Sequence, residues 1–236
     1  MQVQSPEVST IDGFPWRTFD AYLFDIDGTM MLSKDRTHRN ALHRAMREVF
    51  DVETTIDGIA FHGKTDPGIL RSALGRVGVD SAEIDRRMPE LLDVCRRHAR
   101  ENLPLFTPTV LPGVREVLDR LRGQGKLLGV ASGNLEQIGW IKLSAAGLRS
   151  YFEFGSFADH HEQREDVFQN AVAKVRRRLG PQASVCVLGD TPDDIHAARK
   201  AGARIISVGT GIYSAQDLAA LAPDAAITDC TELLTA

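Results

Sequence analysis

Two aspartates, Asp25 and Asp27, stand one residue apart at the end of the apolar run Tyr22-Leu23-Phe24 and are followed by Gly28. Like charges a few ångströms apart repel. On a solvated turn, or in a calcium loop, an Asp-x-Asp-Gly costs little. The run before it, however, reads as a buried strand, too short for a helix and bounded by a turn signal. Ligands bind at the C-terminal ends of such strands in α/β sheets, and two carboxylates placed there call for a cation. Other polar signals follow apolar runs further along. Ser132-Gly133-Asn134 comes after Leu127 to Ala131, and Asp190, with Asp193 and Asp194 behind it, comes after Val185 to Leu188. A fourth polar segment, Glu162-Gln163-Arg164-Glu165, precedes a helical stretch. His160-His161 is a weaker candidate, because an exposed loop pair is more often plain surface.

These signals need elements to place them. Phe19 to Phe24 reads as the first strand, and helical spacing follows it. Leu42, Ala45, Met46, Val49 and Phe50 mark one helix, and Ile69, Leu70, Ala73, Leu74 and Val77 a second, opened by Asp66-Pro67. Leu91, Leu92, Cys95 and Ala99 mark a third, just after Pro89. No strand is expected between about Met31 and Leu105, and Leu103 to Pro108 reads as a return linker. Beyond it a helix opens at Pro112 and ends at Gly123 and Gly125. Strands and helices then alternate: Leu127 to Ala131, a helix through Leu148, Tyr151 to Phe157, a helix over Asp166 to Leu179, Val185 to Leu188, and a helix through Ala201. Arg204 to Val208, a short helix over Ala215 to Leu221, and Ala225 to Ile227 complete the chain. Such alternation predicts a parallel sheet covered on both faces, which would bring the polar strand ends to one edge.

Bulk properties narrow the field. The 236 residues are 43% hydrophobic and 25% charged, ample for a globular core. The net charge of −4 carries no nucleic-acid footprint and no membrane-binding basic face. Cys95, Cys186 and Cys230 are odd in number and far apart, which suits reduced thiols in the cytoplasm better than a disulfide framework. No apolar run is long enough to span a bilayer. Met1 to Thr10 is polar and reads as a loose tail.

Asp25-Ile26-Asp27-Gly28-Thr29 resembles the first motif of the haloacid dehalogenase-like hydrolase superfamily. Ser132 sits where its second motif falls, and Gly189-Asp190-Thr191-Pro192-Asp193-Asp194 is similar to its fourth. Gly63-Lys64-Thr65-Asp66, Pro112-Gly113-Val114 and the run from Ser132 through Lys142-Leu143 resemble the phosphoglycolate-phosphatase-like branch. The resemblance implies a Rossmann-like, doubly wound α/β core with a small all-helical cap inserted after the first strand. The expected division is a tail over 1–17, a core over 18–34 and 107–236, and a cap over 35–106.

It further implies a phosphatase that hydrolyses a small phosphorylated metabolite, phosphoglycolate or a sugar phosphate, with Mg²⁺ as cofactor. Asp25 would be the nucleophile and Asp27 the acid/base. Asp25, the backbone carbonyl of Asp27 and Asp190 would hold the metal, with Asp194 orienting a metal-bound water. Ser132, Gly133 and Asn134 would take the phosphate at a helix N-terminus, Gly28 would permit the tight turn, and Gly28 and Thr29 would bind substrate beside it. Lys64 and Thr65 could meet the organic part of the substrate, or Thr65 could simply cap its helix. The third motif departs from the family. A lysine is usual before the helix containing Asp166, and here Arg164 is the expected replacement, with Lys142 as the alternative. A sugar-phosphate mutase of the same fold, and a non-catalytic phosphometabolite-binding or regulatory protein, are the competing readings. No membrane or nucleic-acid partner is expected, and the chain would act as a monomer or homodimer.

Overall fold

A computed structural model of the protein describes residues 11–235. The expected loose tail over 1–10 lies outside them. Residues 11–17 do not trail away, because Ile11 and Trp16 are buried in the core and the Tyr22 hydroxyl donates to the Trp16 carbonyl.

Six strands form one parallel sheet: β1 (Ala21–Phe24), β4 (Leu127–Ala131), β5 (Phe154–Ser156), β6 (Val185–Gly189), β7 (Arg204–Val208) and β8 (Ala225–Ile227). Their order is β5-β4-β1-β6-β7-β8. The chain winds outward from β1 to one edge and then returns to start the other half at β6. This is the doubly wound arrangement, with its switch point beside β1. Register is set by apolar residues on both faces. Ala21 lies opposite Leu127 and Val185, and Phe24 opposite Val130 and Leu188.

The strand period of two sorts these side chains cleanly. Tyr22, Phe24, Leu128 and Leu188 join Val117, Leu118 and Leu121 of α4 (Val114–Gly123) and Leu143 of α5 (Glu136–Ala145) on one face. Ala21, Leu23, Val185 and Val187 meet Val167, Phe168, Ala171 and Val175 of α6 (Arg164–Leu179) and Ile195 of α7 (Pro192–Lys200) on the other. A short helix, α8 (Ala215–Ala219), and a last one, α9 (Glu232–Thr235), follow the outer strands.

Between β1 and α4 the chain departs on a two-stranded antiparallel ribbon, β2 (Met31–Leu32) and β3 (Thr109–Val110), with Met31 opposite Val110. Two-residue strands carry no readable period, which is why the sequence suggested no strand here. Hung from this ribbon are α1 (Thr37–Phe50), α2 (Asp66–Arg76) and α3 (Ser81–Glu101). They share a third hydrophobic cluster, with Leu42, Met46, Leu70, Leu74, Leu91 and Cys95 at its centre, that also takes in Leu135 and Ile138 from the start of α5. Helix α3 begins well before Pro89, which sits in its interior. Asp80 caps it by accepting from the backbone N–H groups of Ala82 and Glu83, and this cap rather than the proline sets the start. The three cysteines are free and buried. No helix of the described residues is long and apolar enough to cross a membrane.

The start of α4 is seated against the end of the chain by a tight contact at Gly113, the residue before the helix. Its φ is +74°, and a Cβ there would lie 2.4 Å from the Thr231 nitrogen and 2.5 Å from the Cys230 carbonyl carbon. Gly113→Ala combines left-handed strain with a backbone clash. It should destabilise the protein by at least about 2 kcal/mol in urea unfolding.

Candidate active site

Four loops meet at the C-terminal edge of the sheet and line a cavity of about 460 Å³. From the β1 end comes Asp25, from β4 Ser132-Gly133-Asn134, and from β6 Asp190 and Thr191. Thr210 and Gly211 follow β7. The insert closes the cavity from above with Arg36, His38, Phe61, His62 and Lys64.

The floor is a buried cluster of charge. Asp25, Asp190 and Asp194 each present a carboxylate oxygen within 4.8 Å of the others. One cation is set among them. The Arg164 guanidinium lies 2.9 Å from Asp25 Oδ2, and its Nε and Nη2 donate to Asp194 Oδ1 at 2.8 and 2.6 Å. Arg164 opens α6, is itself buried, and rests over the Phe168 ring. Asp194 has little left to offer, since its Oδ2 accepts from both the amide and the hydroxyl of Thr191 in the capping box that starts α7.

Asp25 and Asp190 are differently placed. Asp25 Oδ1 is buried and has no hydrogen-bond partner among the described residues. Asp190 Oδ1 accepts from the Thr29 hydroxyl at 2.9 Å. Its Oδ2 faces two glycines, and a Cβ at Gly28 or Gly211 would come within 2.1 or 1.9 Å of it. Gly28 also has φ +84°, so the turn and the close approach both require it. Burial, with the neighbouring Asp194 and Asp25 charges, pushes Asp190 up to about 8. Burial also raises Asp25, to about 6, against the pull of Arg164. One guanidinium does not neutralise three buried carboxylates. An orphaned carboxylate oxygen beside a second carboxylate is the donor set that a hard divalent cation takes.

Asp27 lies beyond this cluster, part-exposed to the cavity. Its Oδ2 accepts from Lys142 Nζ at 2.6 Å and from Asn134 Nδ2 at 2.9 Å. Lys142 also donates to Asn134 Oδ1 at 2.8 Å, and Asn134 Nδ2 reaches Ser132 Oγ at 2.8 Å. Burial alone would raise the Asp27 carboxyl, but the Lys142 charge and hydrogen bond, with Asn134, outweigh it and hold the group below its usual range.

A family model described as haloacid dehalogenase-like hydrolase matches residues 19–202. The chain belongs to the haloacid dehalogenase-like hydrolase family. It is 29% identical to a phosphoglycolate phosphatase of Synechococcus elongatus over 217 residues, covering 92% of this chain and 96% of the relative. To the phosphoglycolate phosphatase of Agrobacterium fabrum it is 30% identical, covering 91% and 90%. Among solved structures it is similar in fold to a beta-phosphoglucomutase of Clostridium difficile, with a TM-score of 0.69 at 17% identity, covering 91% of this chain and 93% of that one.

The residues that resemble the motifs of this hydrolase family fall into two groups. Asp25, Asp27, Gly28, Ser132, Gly133, Asn134, Asp190, Arg164, Lys142 and Lys64 all line the cavity. Lys64 also pairs with Asp193 at 2.6 Å. Two residues expected to meet substrate do not line the cavity and are engaged elsewhere, Thr65 in the helix-cap role that was its alternative reading. Thr29 is buried and serves Asp190. Thr65 is the N-cap of α2, accepting from the Gly68 amide and donating to the Glu162 carbonyl. The helix end expected to hold phosphate is also partly taken. The amides of Leu135 and Glu136, which open α5, donate to Asp66 Oδ2 and Asp159 Oδ2 at 2.8 and 2.6 Å. Ser132, Gly133 and Asn134 are the part of this loop that lines the cavity. Sequence reasoning missed Gly211, whose only trace is the Gly-Thr-Gly after a strand. It also missed His38, which bonds Asp66 at 3.1 Å and carries no local signal beyond its residue type.

Arg164→Met leaves Asp25 and Asp194 buried without their shared cation. It should cost about 3–5 kcal/mol in urea unfolding at neutral pH in the absence of divalent ions.

Proposed function

We propose that the protein is a Mg²⁺-dependent phosphatase that hydrolyses a small phosphorylated metabolite, phosphoglycolate-like or a sugar phosphate, through a phosphoaspartyl intermediate. The observation that carries this reading is the buried Asp25 Oδ1, without a hydrogen-bond partner among the described residues, beside Asp190 at the cavity that Ser132 and Gly133 also line. Asp25, Asp190 and the Asp27 backbone carbonyl would hold Mg²⁺. Asp194, already engaged by Arg164 and Thr191, would act on it only through water. The ion, when bound, offsets the negative charge of the site and polarises the phosphoryl group.

The chain's own residues supply the rest. An Asp25 carboxylate oxygen forms a bond to phosphorus while the bond from phosphorus to the ester oxygen breaks. Asp27, ionised in the free protein and protonated once the negative charge of the phosphate has joined it in the site, gives its proton to that departing oxygen. The Asp27 carboxylate then takes a proton from a water that attacks phosphorus. Inorganic phosphate leaves and Asp25 is regenerated. Ser132 and the following amides hold the phosphoryl oxygens. Arg164 keeps Asp25 oriented, and its Nη1, the guanidinium nitrogen nearest Gly133, faces that same loop. The insert over 35–106 serves as a lid that excludes water.

Asp25→Asn should lower phosphate release from p-nitrophenyl phosphate in Mg²⁺ by at least ~10³-fold. A near-native rate would remove the nucleophile from the scheme. Phosphate release without any bisphosphate activator would separate the phosphatase from a mutase of this fold. Metal binding has its own readout. Mg²⁺ at about 100 times its Kd should stabilise the wild type by about 2.7 kcal/mol in thermal unfolding. Asp190→Asn should lose that gain.

A further inference from the structure

Lys142 has no counterpart in the chemistry just described. Its ammonium group is 3% exposed, and buried lysines are rare unless paired. A buried ion pair is weak as a source of stability, because desolvation offsets much of its attraction. Arg164 already occupies the place beside Asp25 that was open to either cation. What Lys142 touches is the distal oxygen pair of another group, Asp27 Oδ2 and Asn134 Oδ1, at 2.6 and 2.8 Å.

The arrangement treats the two Asp27 oxygens unequally. Oδ2 accepts from two buried donors, Lys142 Nζ and Asn134 Nδ2. Those donors are linked to each other, and through Asn134 to Ser132 Oγ. Oδ1 receives no hydrogen bond among the described residues, and the Asp27 side chain is 43% exposed, toward the cavity. Two donors on one oxygen fix both the rotation of the carboxylate and the oxygen it can offer. Lys142 reaches Asp27 from helix α5, eight residues beyond Asn134, so the clamp is anchored in packed secondary structure rather than in the loop it controls.

We propose that Lys142 is a positioning residue for Asp27. With Asn134 it pins Oδ2, so that Oδ1 alone is presented to the departing ester oxygen and to the attacking water. The clamp also ties the acid/base to Ser132, so that the loop facing the phosphoryl oxygens and the proton donor are held as one unit. This rests on the reading of Asp27 as the acid/base. Lys142 acts through Asp27 and does not touch the reacting atoms.

The test is a double-mutant cycle of Lys142→Met and Asp27→Asn, measured in Mg²⁺ with two substrates. One is p-nitrophenyl phosphate, whose leaving group departs readily, and the other is an alkyl phosphate, whose leaving group needs a proton. Lys142→Met should lower kcat for the alkyl phosphate by about 10²-fold, the lower end of what a general acid supplies. The loss should be several-fold smaller for p-nitrophenyl phosphate, and KM should change little for either. In the Asp27→Asn background the Met substitution should cost nothing further. Additive losses, equal losses on both substrates, or a rise in KM with kcat intact would each overturn the clamp. If Lys142→Met does not fold, as judged by circular dichroism, the same cycle is run with Asn134→Ala, for which the same non-additivity is expected and additivity is again fatal. If Asp27→Asn alone leaves alkyl phosphate turnover unchanged, the acid/base reading falls and takes the clamp with it. Loss of the clamp's coupling with Asp27→Asn still damaging would leave that reading standing.

Discussion

The crowding of Asp25, Asp190 and Asp194 around one guanidinium is the constraint to which the rest of the molecule answers. Carboxylates lose their hydration when buried, and at these separations they also repel. Two neighbouring strand ends, those of β1 and β6, must meet to bring them together, which requires the parallel sheet and its switch point beside β1. Glycines must stand at 28 and 211, because any Cβ there would collide with Asp190. A cation must enter from the side, which places Arg164 at the first residue of α6 with Phe168 beneath it. Each of these is a packing requirement imposed by charge.

Much of this was legible in the chain. The alternation of apolar strands with amphipathic helices announced the sheet, because a period of two and a period of 3.6 leave different marks on a sequence. Asp25, Asp27, Ser132 and Asp190 could be found because each follows a fully apolar run, where a polar residue stands out. Arg164 was reached through a departure from a motif, and the structure places it between Asp25 and Asp194. What escaped notice had no local signature. The role of Asn134 toward Asp27, the use of Thr29 to hold Asp190, and the capping of α5 by Asp66 and Asp159 all join residues far apart in sequence. Pro89 misled by proximity. Proline is common at a helix start, but here the cap of Asp80 and the apolar stripe of α3 override the break it would impose.

The two cations near the site divide their work by burial and by partner. Arg164, planar and permanently charged, bridges two carboxylates through Nη2, while Nε adds a second bond to Asp194. Lys142, a single compact charge, meets one carboxylate and one amide oxygen. A guanidinium and an ammonium in exchanged places would each meet the wrong geometry. The insert is also joined to the core by charge, through Arg71 with Glu162 and Arg96 with Asp159, pairs in which every side chain keeps some exposure to water. Surface-screened pairs of this kind contribute little individually to holding the boundary.

Helix α5 has no cap of its own. Leu135, at its N-cap position, offers no side-chain acceptor, and the donor it exposes is satisfied by Asp66, a residue of the insert. Separation of α2 from α5 would therefore strip a helix end on the opposite side of the boundary and leave a bare N–H facing the cleft. Electrostatically, the start of α5 rests on two borrowed negative charges, one lent by the insert through Asp66 and one by the core through Asp159, so the helix end records on which side of the boundary its neighbours stand.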